Sequence, residues 1–317
     1  MLTAPGLYAQ TETNAAEKAW KFDGVIGLNA AATGQVNWTA GGNNNINGLS
    51  FAKLHLLYKK DAIAWETHFD TDFGMTWIDQ EDDQLQKSSD NIKLVTKFGW
   101  EFHKNWYLTA LASFQSQYAV GRDYRYGEYD PVISKWLAPS YTDISVGIDW
   151  KKSVKGCDFS IYFSPVAGRI TTAYVSDSWN KKYTDEYRDA MAKAGETIPE
   201  DYIDFRTEME IKYGTYKFVQ IENKEPGLEF RHARAELGLS MKGGIAYKRD
   251  KLTLGTTLAL FTPYQGKGYD LKEAFESEMR KEDPTYVYNG YYMNSNLNRH
   301  FGRFDVDWDF NISYQLL

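Results

Sequence analysis

The sequence offers five histidines as bases or metal ligands: His55, His68, His103, His232 and His300. The surrounding pattern puts His103 in a turn and His300 in a loop, which leaves His55, His68 and His232 as candidate bases for acyl transfer. That chemistry also needs an activated nucleophile, and the sequence contains neither a Gly-x-Ser-x-Gly elbow nor a His-Glu-x-x-His pair. Glu66, His68 and Asp70 alternate with their neighbours, so on an extended chain they share one side, as metal ligands would and as members of a hydrated polar ladder would. The ladder is the reading adopted; no metal, cofactor or catalytic residue is expected. Gly41 and Gly42 before Asn43 admit a substrate-binding loop, but Gly and Asn also accept positive φ in tight turns, and the turn is preferred. Trp38, between polar neighbours, either tucks against a rim or contacts a ligand.

What positions these residues is an alternation with the period of a β-strand. Between residues 63 and 75, Ile63, Trp65, Phe69, Phe73 and Met75 face away from Glu66, His68, Asp70 and Asp72. Ile92, Leu94, Phe98, Trp100 and Phe102 likewise oppose Lys93, Lys97 and Glu101, and Phe304, Val306, Trp308, Phe310 and Ile312 oppose Asp305, Asp307 and Asp309. Residues 20–35, 49–59, 106–118, 143–150, 158–164, 232–247 and 252–261 read as further strands, about ten in all. His232, Arg234, Glu236 and Lys242 line the polar face of one of them. Opposite charges on neighbouring strands can pair across such a face.

The chain has 317 residues, a net charge of −7, a single cysteine (Cys157) and 16% aromatic residues. One cysteine excludes a disulfide framework within the chain, and the acidic balance argues against nucleic acid as a partner. No run approaches the ~18 to 20 apolar residues of a membrane-spanning helix. Connections alternate in length: short at 59–61, 103–105, 151–156 and 249–251, long at 37–48, 78–90, 119–141, 171–230 and 263–302. Aromatics such as Phe22, Trp100, Phe102, Trp106, Trp150, Tyr247 and Tyr314 gather near the short turns, with Trp77 toward the other end. Segregated loops and an aromatic belt fit an antiparallel up-and-down transmembrane β-barrel of about 10 to 12 strands, with short periplasmic turns and long extracellular loops. Residues 1–19 read as a residual signal or N-terminal segment and 20–317 as the barrel domain. Two helices are expected in the long loops, one from the Asp270 capping box to before Asp283 and Pro284, and one over 184–194 ended by Gly195. Pro165 after Ser164 marks a bulge or a strand end.

Asn37-Trp38-Thr39-Ala40-Gly41-Gly42, followed by an Asn-rich turn, resembles the signature of an uncharacterised, DUF3078-type family of outer-membrane barrels from Bacteroidota. Phe114-Gln115-Ser116-Gln117-Tyr118, Leu137-Ala138-Pro139-Ser140-Tyr141, Phe163-Ser164-Pro165-Val166 and Leu260-Phe261-Thr262-Pro263-Tyr264 fall where that family's pattern places them. The resemblance runs from about Trp20 to the C-terminus and implies a barrel in the outer membrane of a Gram-negative bacterium; it implies no reaction. The 171–230 connection is longer than the family pattern, and Leu316 and Leu317 stand where outer-membrane proteins commonly end in an aromatic.

Three functions follow from this reading. The preferred one is a non-enzymatic barrel in the lipid bilayer, with a narrow or side-chain-plugged charged lumen and outer loops that bind an envelope protein or a small polar ligand. The alternative is a narrow, porin-like path for small polar or cationic solutes, favoured by the acidic ladder of Asp305, Asp307 and Asp309. A lipid hydrolase is the third.

Overall fold

Ten long segments with a period-2 pattern pair into one antiparallel sheet. The computed structural model describes residues 19–35, 43–79, 85–124, 131–195, 197, 204–220, 226–264, 268–270, 284–285, 296–298 and 301–314. In chain order the elements are β1 (Trp20–Thr33), β2 (Asn45–Lys60), β3 (Ile63–Ile78), β4 (Leu85–His103), β5 (Trp106–Ser116), β6 (Gly121–Arg122), β7 (Val132–Ser134), β8 (Ser140–Val154) and β9 (Cys157–Thr172). There follow α1 (Asp177–Ala194), α2 (Phe205–Lys212), β10 (Tyr216–Gln220), β11 (Pro226–Phe230), β12 (Ala233–Arg249), β13 (Leu252–Pro263), β14 (Gly268–Asp270), β15 (Asn296–Asn298) and β16 (Asp305–Tyr314). The large sheet runs β1-β2-β3-β4-β5-β8-β9-β12-β13-β16; β6 with β7, β10 with β11 and β14 with β15 form separate two-stranded ribbons inside the long connections.

Four tight turns join β2 to β3, β4 to β5, β8 to β9 and β12 to β13, all at the same end of the sheet. Asp61, Asn105, Lys155 and Asp250 take φ between 49° and 68° there, the left-handed conformation that lets a two-residue loop match the strand twist. The other end carries every long connection. The predicted segregation of short and long connections therefore holds along the described chain.

Several strands exceed their predicted spans, for identifiable reasons. β4 begins at Leu85 although residues 86–91 are polar on both faces; ladder pairing of Leu85 with Trp77 and Lys87 with Met75 holds them. β9 continues past Pro165 because the chain bulges there. Gly147 and Leu239 on the flanking strands drop out of the ladder, and Ser164 Oγ lies 2.8 Å and 2.9 Å from the carbonyl oxygens of Val146 and Val166. α1 reaches back to Asp177, seven residues before the predicted start, because the Trp179 and Tyr183 rings, 5.2 Å apart, already pack at helical spacing. Its end at Gly195, φ 71°, is where it was predicted. α2 was not predicted; Asp204 caps it by accepting from the Thr207 amide at 2.8 Å. The helix expected after Asp270 lies outside the described residues.

Burial is inverted relative to a soluble sheet. Apolar side chains point to the convex face and stay exposed, Ile26 at 77% and Trp308 at 71%, whereas Asp149, Ser145 and Ser164 on the opposite face are buried. Among the described residues an apolar core cluster forms in the long connections, where Val175, Tyr183, Phe205 and Met209 close on Val132 and Ala138. The β8–β9 bulge needs a residue without a side chain, since a Cβ on Gly147 would lie 2.2 Å from the Phe163 carbonyl oxygen. Gly147→Ala is expected to cost about 1 to 3 kcal/mol, read as a lowered denaturation midpoint by circular dichroism. Gly99→Ala, whose Cβ meets nothing nearer than 3.7 Å, is the control and leaves the midpoint in place.

Candidate functional site: a charged cavity on the concave face

The strand pairing sets polar residues in rows across the sheet. One row runs Asp23, His55, His68, Val95, Ser113, Asp143, Arg169, each the Cα partner of the next on the neighbouring strand. Another runs Asp149, Tyr162, Lys242, Ala259, Asp307. Because side chains alternate between faces, these rows share the concave side. They wall a cavity of about 420 Å³ to which β3, β4, β5, β8, β9, β12, β13 and β16 all contribute.

Arg169 is the centre of the cavity's ionic wall. Its Nε and Nη2 donate to the two oxygens of Asp143 at 2.7 Å and 3.3 Å, its Nη1 donates to Asp305 at 2.8 Å, and its guanidinium lies 4.5 Å from the centre of the Phe261 ring. β9 and β16 are three strand steps apart, roughly 14 Å along a sheet with strands about 4.8 Å apart. A direct ion pair over that separation requires the sheet to curl strongly toward its charged face. A second clasp joins β4 to β8: the Lys97 ammonium donates to Asp149 at 2.5 Å, with Lys151 Nζ 3.6 Å from the same carboxylate. Tyr162 adds a hydroxyl that donates to Ser145 at 2.9 Å.

The residues picked out in the sequence divide into three groups. Glu66, His68, Asp70, Lys93, Lys97, Lys242, Asp305, Asp307 and Asp309 line the cavity. Register sets Glu66 opposite Lys97 and Asp70 opposite Lys93, but Glu66 turns to His55 and His68, at 3.1 Å and 2.9 Å, and Lys97 turns to Asp149. Asp72 and Glu101 sit at the margins. Asp72 accepts from Ser89 toward the loop end, and Glu101 accepts from the Asn105 amide at a tight turn.

The third group belongs to the loop layer. His232 lies just before β12, half exposed, with its Nδ1 3.2 Å from Glu210 of α2. Arg234 donates to the carbonyl oxygens of Gly214 and Tyr213 at the end of α2 and pairs with Glu236 at 3.2 Å. Glu236 is the register partner of Arg169 on the cavity side, so the inner wall itself holds the helix end, where exposed carbonyls favour a cation. Lys212 and Tyr213 donate to the Ile133 carbonyl, both at 2.9 Å, and Arg122 pairs with Glu186 at 2.6 Å, which joins the helices to the β6–β7 ribbon as one cap. The signature residues Asn37, Trp38, Gly41 and Gly42 lie outside the described residues.

Sequence reasoning missed Asp143, Asp149 and Arg169 as wall residues. Asp149 was legible in the alternation of Ile148, Asp149 and Trp150; Arg169 was not, because Pro165 truncated the predicted strand before it.

Residues 31–121 match the model of a family described as Protein of unknown function (DUF3078). The match supports a DUF3078-type family assignment. It is narrower than the resemblance traced along the sequence. The DUF3078 segment carries the end of β1, β2 to β5 and Gly121, hence His55, Glu66, His68, Lys93 and Lys97, while Arg169, Lys242 and the β16 aspartates lie beyond it. No curated protein and no solved structure matches the chain.

The cap carries acids that burial disfavours as anions. Glu208 and Glu210 are both pushed up to about 7 by desolvation, only partly offset by Lys212 and Arg206 respectively. An acid whose folded pKa is raised above its ordinary 4.5 stabilises the fold fully below that value and loses the contribution as pH rises through about 7. The cap is therefore expected to be firmer at pH 5 than at pH 8, read as slower amide exchange in α2. His232 also faces Glu210, so Glu208→Gln is the cleaner test: it should flatten the pH dependence.

Proposed function

We propose that the chain is an outer-membrane β-barrel protein without catalytic activity, closed by the approach of β1 to β16, whose charged lumen is a narrowed chamber for a small polar solute beneath an outer cap. Strand lengths of 10 to 19 residues suit a tilted crossing of the bilayer, which takes about 9 to 11. The exposed apolar convex face, the aromatic rings of Trp20, Tyr58, Trp65 and Trp106 at the tight-turn end, and the placement of every long connection at the other end support the same reading.

The observation that carries the proposal is the Arg169 clasp. It links Asp143 of the neighbouring strand to Asp305 three strands away, and Arg169, Asp143, Asp305 and Lys97 together line the charged cavity. Barrels of about eight strands fill their interior with side chains, and porins of about sixteen hold an open channel. Ten strands with two cross-sheet ion pairs stand near the filled end.

One observation favours a narrow cation path instead: Asp307 and Asp309 face the cavity beside Asp305, and among the described residues neither takes part in an ion pair with a cationic side chain.

Planar-bilayer recording separates the two. The purified protein is expected to give no steady conductance, and Arg169→Ala combined with Asp149→Asn to give discrete current steps. Steady cation-selective current from the unaltered protein would establish the path in place of the chamber. Membrane location is read independently: the folded chain should fractionate with outer membranes and change gel mobility on heating, and recovery in the soluble fraction would overturn the barrel.

A further inference from the structure

We infer that His55, Glu66 and His68 form a binding site for one divalent transition-metal ion of the zinc or cobalt type on the wall of the cavity. The inference goes beyond the proposed function and does not depend on membrane location.

Strand geometry brings the three donors together without any loop. Glu66 and His68 are two residues apart on β3 and share its polar face, and His55 is the register partner of His68 on β2. Both imidazole Nε2 atoms converge on one oxygen of Glu66, His55 at 3.1 Å and His68 at 2.9 Å, and the donor atoms of all three residues lie within 4.8 Å of one another. Ligands held about 2.0 to 2.1 Å from a tetrahedral zinc are roughly 3.3 Å apart, so sub-ångström adjustments bring the two nitrogen–oxygen edges to that size. The rings now stack, 4.4 Å apart with planes 10° from parallel, and a shared ion would tilt them toward each other at their Nε2 edges.

A second observation points to a cation at that spot. Asp23 on β1 places a carboxylate oxygen 3.1 Å from Nδ1 of His55. A carboxylate on the far nitrogen holds the proton there, which leaves Nε2 as a lone pair directed at its target, the usual outer arrangement around a metal-bound histidine. That nitrogen lies 3.1 Å from a carboxylate oxygen of Glu66, so a metal ion seated between them would bond to both. The neighbouring cations Lys97 and Lys151 both lie against Asp149.

The donor set fixes the class of ion. Two imidazoles and a carboxylate suit zinc, cobalt or nickel, whereas calcium and magnesium favour oxygen ligands throughout. Glu66 and His68 also line the cavity, so the remaining position on the ion opens to water or to a solute in the chamber.

The test uses the full chain, purified in detergent, stripped with a chelator and titrated with cobalt(II) and then zinc(II). One equivalent of cobalt should bind with the strong visible absorption of a four- or five-coordinate site, and zinc should displace it. His68→Ala and His55→Ala should each abolish that absorption, and Asp23→Asn should weaken binding roughly 10- to 100-fold. Should a histidine variant fail to fold, acylation of histidines in the unaltered protein supplies the second readout, with zinc expected to protect two side chains. Weak octahedral-type absorption only, binding unchanged in a folded His68→Ala, or no zinc protection would each overturn the site.

Discussion

One arginine sets the geometry on which the cavity depends. Arg169 holds a carboxylate from the adjacent β8 and another from β16, and the second comes within reach only when the sheet has curled. A flat sheet would leave Asp305 about three strand spacings from any β9 cation. Curvature, enclosure of the polar rows and outward display of the apolar face are thus one constraint. The same geometry lets Lys97 pass over its register neighbour Glu66 to reach Asp149 two strands along, and so frees Glu66 for the histidines.

The strand alternation in the sequence carried much of this. Clean periods at Ile63 to Met75 and Phe304 to Tyr314 were enough to place Glu66, His68, Asp305, Asp307 and Asp309 on a polar face, because burial on one side alone forces a period of two. Turn chemistry at Asp61, Asn105 and Asp250 marked the hairpins. The ion-pair partners were less legible, since register tells which residues lie opposite and long side chains reach diagonally or further. Arg169 escaped notice behind Pro165, whose bulge lets a strand continue where propensity would end it. His55 carries no alternating acidic neighbours of its own, and its place beside Glu66 emerged only from the pairing of β2 with β3. α2 is eight residues long, too short for periodicity to announce, and its capping aspartate was the available signal.

The loop layer answers to different rules from the wall. Its core is apolar, with Phe205 and Met209 buried against Val175 and Tyr183, and its attachment to the wall is polar. Lys135 illustrates the join: buried between the loops, its ammonium donates to the carbonyls of Trp136 and Tyr174 while lying 5.1 Å from the Trp179 ring centre.

In the large sheet each strand pairs with the strands that precede and follow it in the chain, so the ladder has a natural order of assembly. Hairpins joined by two-residue turns form early and cheaply, since little loop entropy is lost in closing them. The contact between Arg169 and Asp305 spans 136 residues and has no such local help. Because β12 and β13 lie between its partners, it is expected to form late in folding. A replacement at Arg169 should therefore act on the unfolding rate far more than on the folding rate, as expected for a contact absent from an early, hairpin-based transition state.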